Sequence, residues 1–170
     1  IETVFVQIDK NGNVDLEDLE NKLKSSDKKT LVTLMHANNE IGTLLDIEKV
    51  GALCHQYNAL FHSDTVQTFA HFPFDVQRMH LDFMSASAHK FHGPKGVGFL
   101  YMRKQHKVNP FIHGGGQERG SRAGTENVYG IVGMAAAAKL AYKNLEHDKT
   151  AILEVKNYFI QRLKDTFQDI

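Results

Sequence analysis

Tryptophan is absent from the 170 residues, proline occurs three times and cysteine once. A single cysteine, Cys54, excludes an internal disulfide framework and any CxxC metal or redox pair. There are ten histidines but no HExxH, and His89 and His92, three apart, precede a Gly-Pro turn rather than lie on a helix. No metal site is therefore expected. Charge of one sign is also missing: 20 Lys and Arg balance 20 Asp and Glu. Nucleic-acid-binding modules usually carry a basic excess or stripe, so none is expected as a partner. No apolar run approaches ~18 residues, which argues against a membrane helix. The start, IETVFVQIDK, has no basic segment leading into an apolar core and is no signal peptide. These absences fit a cytoplasmic protein, and 42% hydrophobic residues suffice for a buried core.

Strand and helix patterns alternate along the chain. Strands are predicted at Glu2–Asp9, Thr30–Met35, Ala59–His62, Asp82–Ala86 and Val97–Met102. Helices are predicted at Asp15–Lys24, Asp46–Tyr57 and Asn127–Asn144, with another over Ala151–Ile170. Such alternation implies βαβ units: an α/β fold in three layers, with a mainly parallel sheet flanked by helices. A chain that opens in a strand and closes in a helix without a stop signal reads as part of something longer.

In open α/β sheets, ligands bind beyond the carboxyl ends of the strands. Polar residues gather at four such ends: His36-Ala37-Asn38-Asn39-Glu40, Ser63-Asp64-Thr65-Val66-Gln67, Ser87-Ala88-His89-Lys90, and the glycine-rich stretch after Met102. Eight of the 13 glycines lie between Gly93 and Gly124, where they permit close backbone approach to a ligand or serve plain turns. No GK[ST] follows, so neither stretch is a Walker A loop. Lys90, beside apolar neighbours, suits Schiff-base formation. Asp64 needs a cationic partner if buried, and a protonated pyridine nitrogen would serve. Gln67 lies one turn further on. Ser87 and His89, read as alternating along an extended segment, would both face away from Lys90 and suit a phosphate. Lysine, pairing carboxylate and phosphate ligands together describe a pyridoxal phosphate site.

The stretches HANNEIGTLLDI (36–47), FHSDTVQ (61–67), DFMSASAHKFHGPKGVGFLY (82–101) and GGGQERGSRAGTEN (114–127) resemble the cysteine desulfurases. These belong to the class V aminotransferase group of fold-type I pyridoxal-phosphate enzymes. The resemblance implies that Lys90 carries the cofactor and that Asp64 pairs with the pyridine nitrogen. It implies that Gln67 bonds the ring hydroxyl, that Asn39 also contacts the cofactor, and that Ser87 and His89 hold the phosphate. Thr125 would contact a phosphate in the partner subunit of a homodimer. The implied substrate is L-cysteine, converted to alanine and a persulfide whose sulfur passes to an acceptor protein for iron–sulfur or thiolation pathways. Selenocysteine lyase shares this pocket, and a non-catalytic binding domain on the same fold is the remaining alternative.

Some family parts have no counterpart. The family's glycine-threonine turn and ring-stacking histidine precede the point matching Ile1. Its sulfur-accepting cysteine and carboxylate-binding arginine follow the point matching Ile170. Cys54 falls on the core-facing side of the Asp46–Tyr57 helix and is read as a structural thiol. Residues 1–145 then correspond to part of the large cofactor-binding domain, and 146–170 to a helix leading toward a small domain. Thr65-Val66 replaces a smaller pair common in the family, and His92 stands where an aromatic is common.

Overall fold

A computed structural model describes residues 1–167. Its framework is a four-stranded sheet in the order β1 (Leu31–Met35), β2 (Leu60–Asp64), β3 (Phe83–Ser87), β4 (Gly98–Met102). The first three strands run parallel, with Met35 beside Asp64 and Asp64 beside Ser85. β4 is antiparallel to β3, so Gly98 meets Ser87 and Met102 meets Phe83.

Alternation along the strands decides which face is buried. Val32, Phe61, Ser63, Met84 and Ala86 lie on the buried face, while Thr33, His62, Asp64 and Ser85 lie on the other. Helices α1 (Leu16–Ser25) and α2 (Ile47–Gln56) supply Leu19, Leu23, Val50 and Cys54 to the buried side. Both helices begin at an aspartate cap: the Asp15 carboxylate accepts from the Glu17 and Asp18 amides, and the Asp46 carboxylate from Lys49. In α2, a Cβ placed on Gly51 would lie 2.0 Å from the Met79 carbonyl oxygen, so only glycine lets the helix sit this close.

Two sequence expectations change. Glu2–Asp9 forms no strand; it shares only an isolated bridge, Ile8 with Val14. The alternation of Val4 and Val6 is real, but a strand needs a ladder partner, and none pairs with this segment among the described residues. The Ala-rich helix does not stop near Asn144. It continues as α3, Val128–Thr166, 39 residues long. No glycine or proline occurs from Met134 to Thr166, so nothing in the backbone chemistry ends it earlier. Residues 168–170, the end of the predicted Ala151–Ile170 helix, lie outside the described residues. No described helix is long and apolar enough to cross a membrane.

Candidate functional site

The three parallel strands deliver their carboxyl ends to one edge of the sheet. Asp64 is the last residue of β2 and Ser87 the last of β3. Asp64 is registered with Ser85, so Ser87 lies on the same face, two residues or ~7 Å further along. The Asp64 carboxylate is half-buried, and its Oδ1 accepts the Val66 amide at 2.9 Å. Among the described residues no hydrogen bond reaches its Oδ2, which leaves that oxygen available as an acceptor. Gln67 follows in the turn that this bond begins.

β3 does not continue as an extended segment, as the sequence suggested. It breaks at Ser87 into a 3-10 turn, Ala88–Phe91, closed by His92 at φ 65° and by the Gly93 amide bonding the Ala88 carbonyl at 2.8 Å. The packed neighbours cause the break: Ala88 and Phe91 are buried against Ala70, Met134 and Ala137. Ser87 and His89 still act as a pair, because the turn brings Ser87 Oγ to 2.7 Å from His89 Nδ1. The His89 and Lys90 side chains are exposed. A hydroxyl and an imidazole already joined at an open edge, next to an accessible amine, form a polar set suited to an anionic group.

Asn39 lies in the loop after β1 at the same edge and is exposed, its amide bonded to Glu40 at 2.7 Å. Thr125 is also exposed, on the stretch before α3. The glycine-rich stretch does not arrive from a strand end at this edge, because β4 is antiparallel and Met102 lies beside Phe83 at the opposite edge. Among the described residues Thr125 bonds none of the other candidates.

Three histidines to which the sequence reading gave no site role also lie at or beneath this edge. His71 Nε2 lies 3.0 Å from the Lys90 carbonyl and ties down the backbone that carries the lysine. His36 is 5% exposed, and its Nδ1 lies 2.9 Å from Thr68 Oγ1. Burial holds the His36 imidazole below its ordinary pKa, so it is neutral at pH 7. His62, two residues before Asp64, is likewise pushed down by burial, opposed by the Asp64 charge, and lies 2.7 Å from Thr33 Oγ1. The opposite sheet edge is polar too, but its groups are mutually engaged. Asp82 accepts from the Phe61 amide and pairs with His106 at 2.6 Å, and Arg103 donates to the Leu81 and Val76 carbonyls. That edge is stapled, whereas the carboxyl edge is open.

Cys54 is buried, as its helical position suggested. Burial, and secondarily the charge of Asp82, pushes its thiol up to about 12, which leaves it protonated and inert.

Residues 1–168 match the family described as aminotransferase class-V. The chain belongs to this family. It is 43% identical over 169 residues to the cysteine desulfurase IscS of Dictyoglomus turgidum, covering 99% of this chain and 42% of that protein. Among solved structures it resembles the NifS-like protein from Rickettsia africae, with a TM-score of 0.91 and 38% identity over 94% of this chain and 45% of that one. It also resembles SspA, solved in complex with cysteine, with a TM-score of 0.74 and 37% identity over 81% of this chain and 39% of that one. The chain thus spans less than half the length of the relatives it matches. The mixed sheet flanked by helices is the α/β architecture of these structures.

Proposed function

We propose that this chain is the lysine-bearing part of the cofactor domain of a cysteine desulfurase that uses pyridoxal phosphate. The observation that carries the reading is the convergence of Asp64, the bonded Ser87–His89 pair and Lys90 on one open sheet edge. The donor set fits the cofactor group by group. Asp64 offers a carboxylate with a free acceptor to a cationic ring nitrogen, and the hydroxyl and imidazole offer hydrogen bonds to a phosphate. Lys90 offers an accessible amine to an aldehyde. When bound, the cofactor supplies the electron sink that lets bonds at the amine-bearing carbon of the substrate break.

The chain's own residues then divide the work. Asp64 holds a proton on the pyridine nitrogen. Gln67 would bond the ring hydroxyl, Asn39 would also contact the cofactor, and Ser87 and His89 would hold the phosphate. Lys90 Nζ would hold the cofactor through its aldehyde, and its amine at this edge would carry a proton to or from the substrate. Thr125 serves the phosphate of the partner subunit in a homodimer. L-cysteine is the proposed substrate, consistent with the cysteine-bound relative. Its sulfur would pass to a thiol other than Cys54, whose burial forbids the role, and then to an acceptor protein. On this reading residues 1–145 belong to the large domain, 146–170 lead toward a small one, and the enzyme is cytoplasmic.

Borohydride reduction of the cofactor-loaded full-length protein, followed by peptide mapping, tests the assignment. The expected result is a label on Lys90. A label on Lys95, or none, overturns it.

A further inference from the structure

The turn that presents Asp64 and Gln67 is held from both sides. On the β3 side, the Thr65 amide and hydroxyl both donate to the Ser85 carbonyl, at 3.0 and 2.8 Å. On the β1 side, His36, the residue just after the strand, ties the turn through both its backbone and its side chain. The His36 amide donates to the Asp64 carbonyl at 2.9 Å, and its imidazole meets Thr68 Oγ1 at 2.9 Å. The Thr68 amide and hydroxyl in turn donate to the Thr65 carbonyl, at 2.9 and 3.4 Å. Both threonines are essentially unexposed. All of these bonds are satisfied when His36 carries its proton on Nδ1 and donates to Thr68, a tautomer assigned from the network.

A polar ring here has a cost. Phe72 and Phe74 pack against His36 at centroid distances of 5.8 and 5.4 Å, so an aromatic side chain without nitrogen would suit the surroundings. Burying an imidazole among them is unfavourable unless its hydrogen bond returns something. What it returns is directional: a fixed Thr65–Thr68 turn.

We infer that His36 is a positioning residue, which acts through Thr68 and Thr65 to lock the turn after β2 and so set how the Asp64 carboxylate and the Gln67 amide meet the cofactor. This rests on the cofactor reading above. Networks that orient first contacts are felt at the ligand even though they never touch it.

The test uses the full-length protein with three variants. His36→Phe keeps an aromatic ring, Thr68→Val keeps the shape of Thr68, and His36→Asn keeps a short polar group. His36→Phe and Thr68→Val should each weaken pyridoxal phosphate binding about tenfold, the size expected from losing one buried hydrogen bond. Both should shift the visible band of the bound cofactor and speed amide exchange at Val66 and Thr68. His36→Asn should restore most of the affinity and the band. Should His36→Phe fail to fold, Thr68→Val decides alone. Lower melting temperatures with unchanged cofactor affinity and spectrum would mean a purely structural role and overturn the inference. If the wild-type protein takes up no pyridoxal phosphate, the functional reading falls. Exchange in the apo-protein then decides the latch, and unchanged rates at Val66 and Thr68 overturn it.

Discussion

Asp64 and His36 lie one hydrogen bond apart, the first at the open edge and the second beneath it. The difference matters for what a substitution does. Asp64→Asn keeps the shape of the side chain and can still bond a ring nitrogen, so the full-length protein should retain pyridoxal phosphate. It cannot balance a positive charge there. Steady-state turnover of L-cysteine should fall by more than about 10²-fold, by analogy with removing one preorganised electrostatic group. Activity within a few-fold of the unsubstituted protein would remove Asp64 from its assigned role. The sequence made Asp64, Ser87, His89 and Lys90 readable because their chemistry is unusual at strand ends and their spacing is short. His36, Thr68 and His71 were not readable in the same way. Each acts through a partner at least 19 positions away in the chain, or through a partner's backbone, and no local pattern encodes that pairing.

The elements themselves were legible where periodicity and local chemistry agree. Asp15 and Asp46 announce α1 and α2 as caps, and the leucines of α1 mark its buried side. The turn at Ala88–Phe91 was missed because Ser-Ala-His-Lys is compatible with an extended strand, and only packing of Ala88 and Phe91 under α3 decides otherwise. Gly51 shows the same limit inside a helix. Propensity alone favours alanine over glycine at an interior position by ~1 kcal/mol. Contact opposes it, because the new methyl would lie 2.0 Å from the Met79 carbonyl oxygen, a backbone atom that can move only with the segment carrying it. Overpacking of this kind costs about 1–3 kcal/mol, more than the helix gains. Gly51→Ala should therefore lower the melting temperature of the full-length protein, measured by circular dichroism. A rise would mean that α2 shifts freely over Met79.

At the scale of the whole molecule, the 170 residues leave much apolar surface uncovered. α3 packs through Met134, Ala137, Ala138 and Ala141, all in its first half. Its 39 residues extend roughly 60 Å at 1.5 Å per residue, well beyond that contact. Along the remainder Ile152, Val155, Tyr158 and Phe159 are exposed. The same holds for Tyr129 and Val132 near its start, for Phe5 in the N-terminal segment, and for Leu31 on the edge strand β1. The helical period of α3 was visible in the sequence, but which residues would be covered depends on partners that no single chain's pattern names. Scattered apolar side chains are ordinary on a surface. Stripes of them on a long helix drive association, and so does an unpaired strand edge. Residues 1–170 produced as a separate polypeptide should therefore self-associate at about 10 μM, a range in which incompletely covered apolar surface commonly aggregates. Sedimentation velocity should show the average mass rising with concentration. The same preparation should release no sulfide from L-cysteine, because its one thiol is buried and held protonated. A monodisperse monomer that releases sulfide would show that this length of chain closes its own surface and completes its own chemistry.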